Sequence, residues 1–292
     1  MINPDYLNKF IDRALEEDIG DGDHTSFACI TSDKEGKARL IIKEKGILAG
    51  VEVAKHIFKR FDSSMQTTVL LNDGVKVFPG DTAFTVEGRV ISILQCERLV
   101  LNIMQRMSGI ATQTGQYVEK ISGTSSKLLD TRKTTPGMRL LDKEAVRIGG
   151  GCNHRIGLFD MILIKDNHID FAGGIEKAID AVNDYLQKRS KSLKIEIEAR
   201  SLSDVERILK HNQVHRIMFD NFDIETTRKA VELVNKRYET ESSGNINLSN
   251  IRDYALCGVD YISVGALTHQ IKSLDMSLKA VELIEDIFDV KK

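Results

Sequence analysis

The sequence predicts an α/β protein in two halves: an α+β unit with a sheet packed on helices, then parallel strands joined by crossover helices. Three observations predict it. Before Ser108-Gly109, short apolar runs are punctuated by Gly74, Pro79-Gly80 and Gly88. After that point, short apolar runs alternate with longer segments of helical period. Finally, Glu198, Asp220, Ser242 and Val264 follow one another at a constant step of 22 residues, about one strand-helix unit. A chain of 292 residues is long enough for two domains or one large barrel.

Taken in order, the first element is a helix. Asn3 can cap it, Pro4 suits its first turn, and Leu7, Phe10, Ile11, Ala14 and Leu15 share one face. The turn residues Gly20-Asp21-Gly22-Asp23 follow. Strands are expected at Arg39–Lys43, Gly46–Ala49, Thr67–Leu71 and Ala83–Val86, with helices at Val53–Phe58 and Ile93–Met107. Ser108-Gly109 should end the second helix and the first domain. Six strands are expected in the second half: Lys127–Leu129, Met161–Ile164, Lys194–Ile197, Arg216–Phe219, Arg237–Thr240 and Tyr261–Val264. Helices should cover Ile175–Gln187, Leu202–Lys210, Ile224–Asn235 and Ser249–Cys257. The amphipathic tail Leu274–Val290 should form a helix packed back on the first half. The domains are thus 1–108, joined by a helix within 270–292, and 109–269.

Composition narrows the function. Hydrophobic residues make 41% and charged residues 29% of the chain, an ordinary globular balance. The net charge of −2 gives no general footprint for nucleic acid. No apolar run is long enough to span a bilayer, and the N-terminal segment has no apolar secretion core, so a cytoplasmic protein is expected. Cys29, Cys96, Cys152 and Cys257 are scattered and read as thiols of a reducing compartment. Zinc ligation or a cysteine nucleophile is the alternative, with Cys152 the candidate.

The chemistry sits after the strands. Asp130-Thr131-Arg132-Lys133, Lys165-Asp166-Asn167-His168, Glu198, Asp220-Asn221, Ser242-Ser243-Gly244-Asn245 and Gly265-Ala266 each follow or end one. In a parallel barrel all of them meet at the C-terminal rim, where barrel enzymes place their sites. Ordinary turn chemistry explains Gly, Asp and Asn there, but not the Arg, the two Lys and the Glu. Between Thr131 and Ile156 six basic residues face only Asp142 and Glu144, and His154 adds to the cluster. Arg139, Lys143 and Arg147 have helical spacing and read as a solvated face; Arg132, Lys133 and Arg155 do not. Arginine forks and lysine point charges suit carboxylates and phosphates, so the substrates should be multiply anionic. Glu198 and Asp220 would hold ribose hydroxyls, bind Mg²⁺ or steady a developing carbocation; otherwise they pair with the local cations. Ser243-Gly244-Asn245, leading into a helix, and Gly265-Ala266 suit a phosphate held by backbone N–H groups. A Schiff-base aldolase using Lys165, a relative of the same fold acting on another pyridine acid or in molybdenum metabolism, and a non-catalytic phosphate-sensing module are the competing readings.

Several long motifs resemble one family. They are Glu17–Asp23, Cys96-Glu97-Arg98-Leu99, Arg106–Thr112, Asp130–Arg139, Gly149–Leu158, Ile164–His168 and Gly258–Gly265. Nearly end to end, the chain resembles quinolinate phosphoribosyltransferase, also called carboxylating nicotinate-nucleotide pyrophosphorylase. The resemblance implies an N-terminal α/β sandwich plus a C-terminal incomplete TIM-like α/β barrel. It implies a pentosyltransferase that joins quinolinate to phosphoribosyl pyrophosphate, giving nicotinate mononucleotide, pyrophosphate and CO₂ on the route to NAD. It implies Mg²⁺, held by Glu198 and Asp220 and chiefly by the pyrophosphate, and no organic cofactor. Arg132, His154, Arg155 and Lys165 would surround the quinolinate carboxylates, with Thr131 in the same loop. Lys133, Lys165 and His168 would face phosphates. Ser243, Gly244, Asn245, Gly265 and Ala266 would cradle the 5′-phosphate. Lys133, Lys165, Glu198 and Asp220 would be the catalytic set, and Arg98 would reach into the partner's site of a homodimer. Asn245 departs from the Gly-Gly of many members; it should be tolerated because Asn accepts positive φ.

Overall fold

A computed structural model describes residues 4–281. The chain divides into two units, Met1–Gln113 with Ile271–Lys292, and Thr114–Gln270.

The first unit opens with α1 (Pro4–Ile19), which buries Leu7, Ile11 and Leu15; its expected cap Asn3 lies outside the described residues. A short helix α2 (His24–Cys29) follows, capped by Asp23, whose side chain accepts from Ser26 N–H. Then come β1 (Glu35–Ile42), β2 (Gly46–Ile47), α3 (Val51–Phe61), β3 (Gln66–Val69), β4 (Lys76–Val77), β5 (Thr82–Arg89) and α4 (Val90–Lys120). β2 and β4 pair with each other. Alternation in β1 and β5 turns Leu40, Ile42, Phe84 and Val86 into the core against Ile57 and Phe58 of α3. Phe58 and Phe84 meet edge to face at 5.9 Å.

The helix expected to stop at Ser108-Gly109 does not stop: α4 runs unbroken to Lys120. Gly109 serves close approach instead. A Cβ there would lie 2.3 Å from the carbonyl oxygen of Lys272, so only glycine lets the returning chain pass.

The second unit alternates strand and helix. Its elements are β6 (Lys127–Leu129), α5 (Arg139–Ile148), β7 (Ile162–Ile164), α6 (Asp166–Ala172), α7 (Ile175–Lys188), β8 (Ile195–Ala199), α8 (Leu202–His211), β9 (Arg216–Asp220), α9 (Ile224–Val234), β10 (Glu239–Ser243), α10 (Ile251–Leu256), β11 (Tyr261–Ser263) and α11 (Ala266–His269). All six strands are parallel, in the order β6-β11-β10-β9-β8-β7. β6 and β7 do not pair, so the barrel is open there, and the backbone of Cys152 bridges to Leu129 along the free edge of β6. Ser201 and Asp223 cap α8 and α9, and Asn235 ends α9 at φ 46°.

The expected strand at Arg237–Thr240 lies slightly later, because Arg237 bonds back to Val234 O at the end of α9. The expected C-terminal helix is overturned over its described part. Met276–Val281 is a strand, β12, which buries Met276 and Leu278 and pairs antiparallel with β1 in a sheet ordered β12-β1-β5-β3. Helical and strand readings both put these residues on an apolar face, and the open edge of β1 decides for the strand. Residues 282–292 of that expected helix lie outside the described residues.

Candidate active site

The strand ends of the second unit surround a cavity of about 850 Å³, lined wholly from that unit. Registry explains which side chains reach it. Glu198 pairs with Met218, Asp220 with Ser243, and Glu241 with Met218 and Tyr261, so these residues share the inner face of the sheet. Ser242 falls on the opposite face and is buried. The constant step of 22 residues therefore does not mark equivalent positions: the partner of Asp220 is Ser243, one residue beyond that step.

Of the expected residues, Thr131, Arg132, Lys133, His154, Arg155, Lys165, Glu198, Asp220, Ser243, Gly244, Asn245, Gly265 and Ala266 all line the cavity. His168 does not. Its Nδ1 accepts from Lys165 N–H at 2.9 Å, where it closes the first turn of α6. Arg98 lies exposed on α4, in the first unit.

Charge is distributed unevenly around the rim. Arg132, Lys133 and Arg155 make no ion pair among the described residues, and Nε of Arg132 is buried without a partner. Burial, then the charge of Arg132, pushes the Arg155 pKa down, so the two guanidinium groups feel each other. Lys165 differs: its Nζ lies 2.5 Å from Glu198 Oε1, while Glu198 Oε2 accepts from Asp166 N–H at 3.1 Å.

His154 contributes no positive charge. Its Nδ1 accepts from Arg155 N–H at 2.7 Å, which assigns the ring proton to Nε2. Burial also lowers its pKa. Nε2 sits 2.9 Å from Glu196 Oε2 and 3.5 Å from Glu241 Oε2, but off the hydrogen-bonding direction. Beneath, Arg216 pairs with Glu241 at 3.0 Å and lies over the Tyr261 ring at 4.0 Å. Burial pushes the carboxyls of Glu196 and Glu241 well above the usual range. This buried polar core escaped the sequence reading. Its signal was present in Ile195-Glu196-Ile197-Glu198, where alternation puts both glutamates on one face.

The solvated face expected of Arg139, Lys143 and Arg147 is corrected. Lys143 is only 1% exposed and is bonded to Asp130, itself 0% exposed. Arg139 donates to Thr134 Oγ1 and Ile156 O. Only Arg147, paired with Glu144, faces solvent.

The expected phosphate loop has a different construction. No helix starts at Asn245; α10 begins at Ile251, after a turn. Gly244 has φ 94°, and a Cβ there would lie 3.0 Å from Asn221 N, so glycine is required. Asn245 adopts φ 53°, and its amide donates to Asn221 Oδ1.

For a metal, His154, Glu196 and Glu241 bring ligand atoms within 4.8 Å of one another, yet Arg216 already neutralises part of that group. Glu198 and Asp220 are oxygen donors at adjacent strand ends, the kind of partial set that Mg²⁺ shares with substrate phosphates.

Arginines and a lysine without ion-pair partners at the C-terminal ends of parallel strands stand where α/β barrel enzymes place their active sites, and their chemistry suits anions. Two family profiles cover most of the chain: "Quinolinate phosphoribosyl transferase, N-terminal domain" over residues 23–108 and the corresponding C-terminal domain over residues 110–279. The chain belongs to the quinolinate phosphoribosyltransferase family. It is 46% identical to quinolinate phosphoribosyltransferase [decarboxylating] 1b of Nicotiana tabacum, over 95% of this chain and 83% of that protein. It superposes with TM-score 0.90 on NadC from Streptococcus pyogenes, at 37% identity over 97% and 99% of the two chains. The nicotinate-nucleotide pyrophosphorylase of Francisella tularensis gives the same TM-score at 40% identity, over 96% and 98%.

Proposed function

We propose that this chain transfers the phosphoribosyl group of phosphoribosyl pyrophosphate to quinolinate, with loss of CO₂, to give nicotinate mononucleotide and pyrophosphate for NAD synthesis. One observation carries the site reading: Arg132, Lys133 and Arg155 face a single cavity, and none of the three forms an ion pair among the described residues. Like charges held together this way repel until an anion arrives. Both substrates are polyanions that would otherwise repel each other.

In this reading Arg132 and Arg155 receive the two quinolinate carboxylates. Lys165 leaves Glu198 to join them, and Lys133 meets the phosphates. The backbone of Ser243-Gly244-Asn245 and of Gly265-Ala266 holds the 5′-phosphate, while Glu198 and Asp220 hold the ribose hydroxyls. Glu198 and Asp220, together with the pyrophosphate oxygens, would hold Mg²⁺, which would supply countercharge for the leaving group. As the C1–O bond breaks, C1 becomes cationic, and the pyridine nitrogen forms the new N–C1 bond. When the neighbouring carboxylate departs as CO₂, its bonding pair stays on the ring carbon, where the adjacent quaternised nitrogen stabilises it by its charge, and that pair then binds a proton from solvent. Positioning and electrostatics supply the acceleration, with no protein nucleophile.

A homodimer is part of the proposal. Arg98 is exposed and has no side-chain partner among the described residues, as expected for a group donated to a partner's site. Leu158, Phe159 and Phe171 are 70%, 70% and 93% exposed, apolar side chains of the kind a second subunit would cover. Co-expressing Arg98→Ala and Lys165→Ala chains tests it: mixed dimers should regain activity, and no regain sinks the shared site. The four free thiols fit the proposed cytoplasmic location. Among the described residues no helix is long and apolar enough to cross a membrane. Some plant relatives are named chloroplastic or mitochondrial.

The activity is tested by incubating the protein with phosphoribosyl pyrophosphate, Mg²⁺ and carboxyl-labelled quinolinate. Labelled CO₂ should appear only when all three are present. Equal turnover of nicotinate, or a borohydride-trapped lysine adduct, would replace this reading with another.

A further inference from the structure

We infer that Asp130 and Lys143 are positioning residues for the pyridine dicarboxylate: their sealed pair sets the separation of the Arg132 loop and the Arg155 segment. The inference rests on the site reading above. Neither residue lines the cavity, and both are buried. They act through what they join. Asp130 follows β6 and stands two residues before Arg132; His154 stands one residue before Arg155. The two strips of backbone run side by side, with Cys152 N–H donating to Leu128 O and Asp130 N–H to Cys152 O.

Asp130 Oδ1 fastens the strips at their ends. It accepts from Lys143 Nζ and from His154 N–H at 2.8 Å. Lys143 Nζ donates its second bond to His154 O at 3.0 Å. The Asn153 amide, turned so that its nitrogen faces acceptors, donates to Asp130 Oδ2 at 2.8 Å and to Lys143 O at 2.9 Å. Thus His154, the residue just before Arg155, is held at both its N–H and its C=O, by two charges that come from other segments.

A buried ion pair is a weak source of net stability, because desolvation offsets most of the attraction. It is a strong source of direction, since each charge fixes several hydrogen bonds in the chain around it. Direction is what this site needs. Two planar guanidinium groups must meet two carboxylates held rigidly on one aromatic ring, and a small change in their separation breaks one of the two contacts.

The test measures both KM values, kcat and melting temperature for Lys143→Met, Asp130→Asn and the doubly neutral Asp130→Asn/Lys143→Met. In Lys143→Met, KM for quinolinate should rise at least about 10-fold, with KM for phosphoribosyl pyrophosphate changed much less. Asp130→Asn keeps the shape of the acceptor and should give a smaller rise of the same kind. The double variant should recover melting temperature but not the quinolinate KM. A purely structural role would lower the melting temperature and the active fraction and leave both KM values alone. That pattern in any folded member of the set overturns the inference, as does an equal rise in both KM values. Arg155→Ala runs beside them. If it weakens quinolinate binding while the Asp130 and Lys143 variants do not, only the positioning role falls. If it leaves quinolinate binding unchanged, the site reading falls and takes this inference with it.

Discussion

Two ion pairs in the second unit are built in opposite ways. Asp130–Lys143 is sealed, with both side chains at most 1% exposed. Lys165–Glu198 is half open: Glu198 is 6% exposed but Lys165 is 46% exposed, and both line the cavity. A sealed pair cannot exchange partners without leaving a bare charge in the interior, so it fixes geometry. A half-open pair can release its lysine to an arriving anion at little cost, since water screens the parting charges. On the proposed reading the contrast separates residues that shape the site from residues that act in it, although all four are charged and belong to the same unit.

The largest effect expected from breaking the contrast is on stability. Lys143→Met strands the Asp130 carboxylate and should cost about 3–5 kcal/mol, read from urea unfolding. Next comes Lys165→Ala, which should lower kcat about 10²–10³-fold while leaving the unfolding midpoint nearly unchanged. A comparable loss of stability in Lys165→Ala would erase the distinction between the two pairs.

A third carboxylate sharpens it from the first unit. Asp62 accepts from the Ser64 hydroxyl, from Arg89 and from the Ser92 hydroxyl, which hold its pKa well below the usual 3.8. A depressed carboxylate contributes stability above its unfolded pKa and loses it as pH falls through the folded one. Asp62→Asn should therefore flatten the acid limb of the stability curve below about pH 4 by about 1–2 kcal/mol, measured as urea midpoints. Here a buried charge stabilises because several neutral donors and an arginine surround it. The smallest effect is on ionic strength: both KM values should rise several-fold from roughly 0.05 to 0.5 M salt, whereas the stability effect of Lys143→Met should not move.

Much of this was legible in the sequence. Short strands alternating with helices located all six parallel strands, and the residues at their ends line the cavity almost as read. The failures have physical causes. Gly109 looked like a helix breaker, but its small size answers a backbone contact from a residue far along the chain. Lys143 looked solvated because helical spacing shows which residues share a face, not what that face meets. Met276–Val281 carries a pattern that suits a helix, and the partner that makes it a strand, the edge of β1, is distant in sequence. His154 looked cationic until the donor to its Nδ1 was known. In each case the deciding neighbour is a tertiary contact or a hydrogen-bond direction, which local pattern does not carry.

The central claim is that Arg132 and Arg155 recognise two carboxylates at once. Titration calorimetry of the wild-type protein with quinolinate and with nicotinate, which lacks one carboxylate, tests it most directly. Quinolinate should bind at least about 10-fold more tightly, the equivalent of one charge-assisted contact. Equal affinities for the two acids would contradict the account.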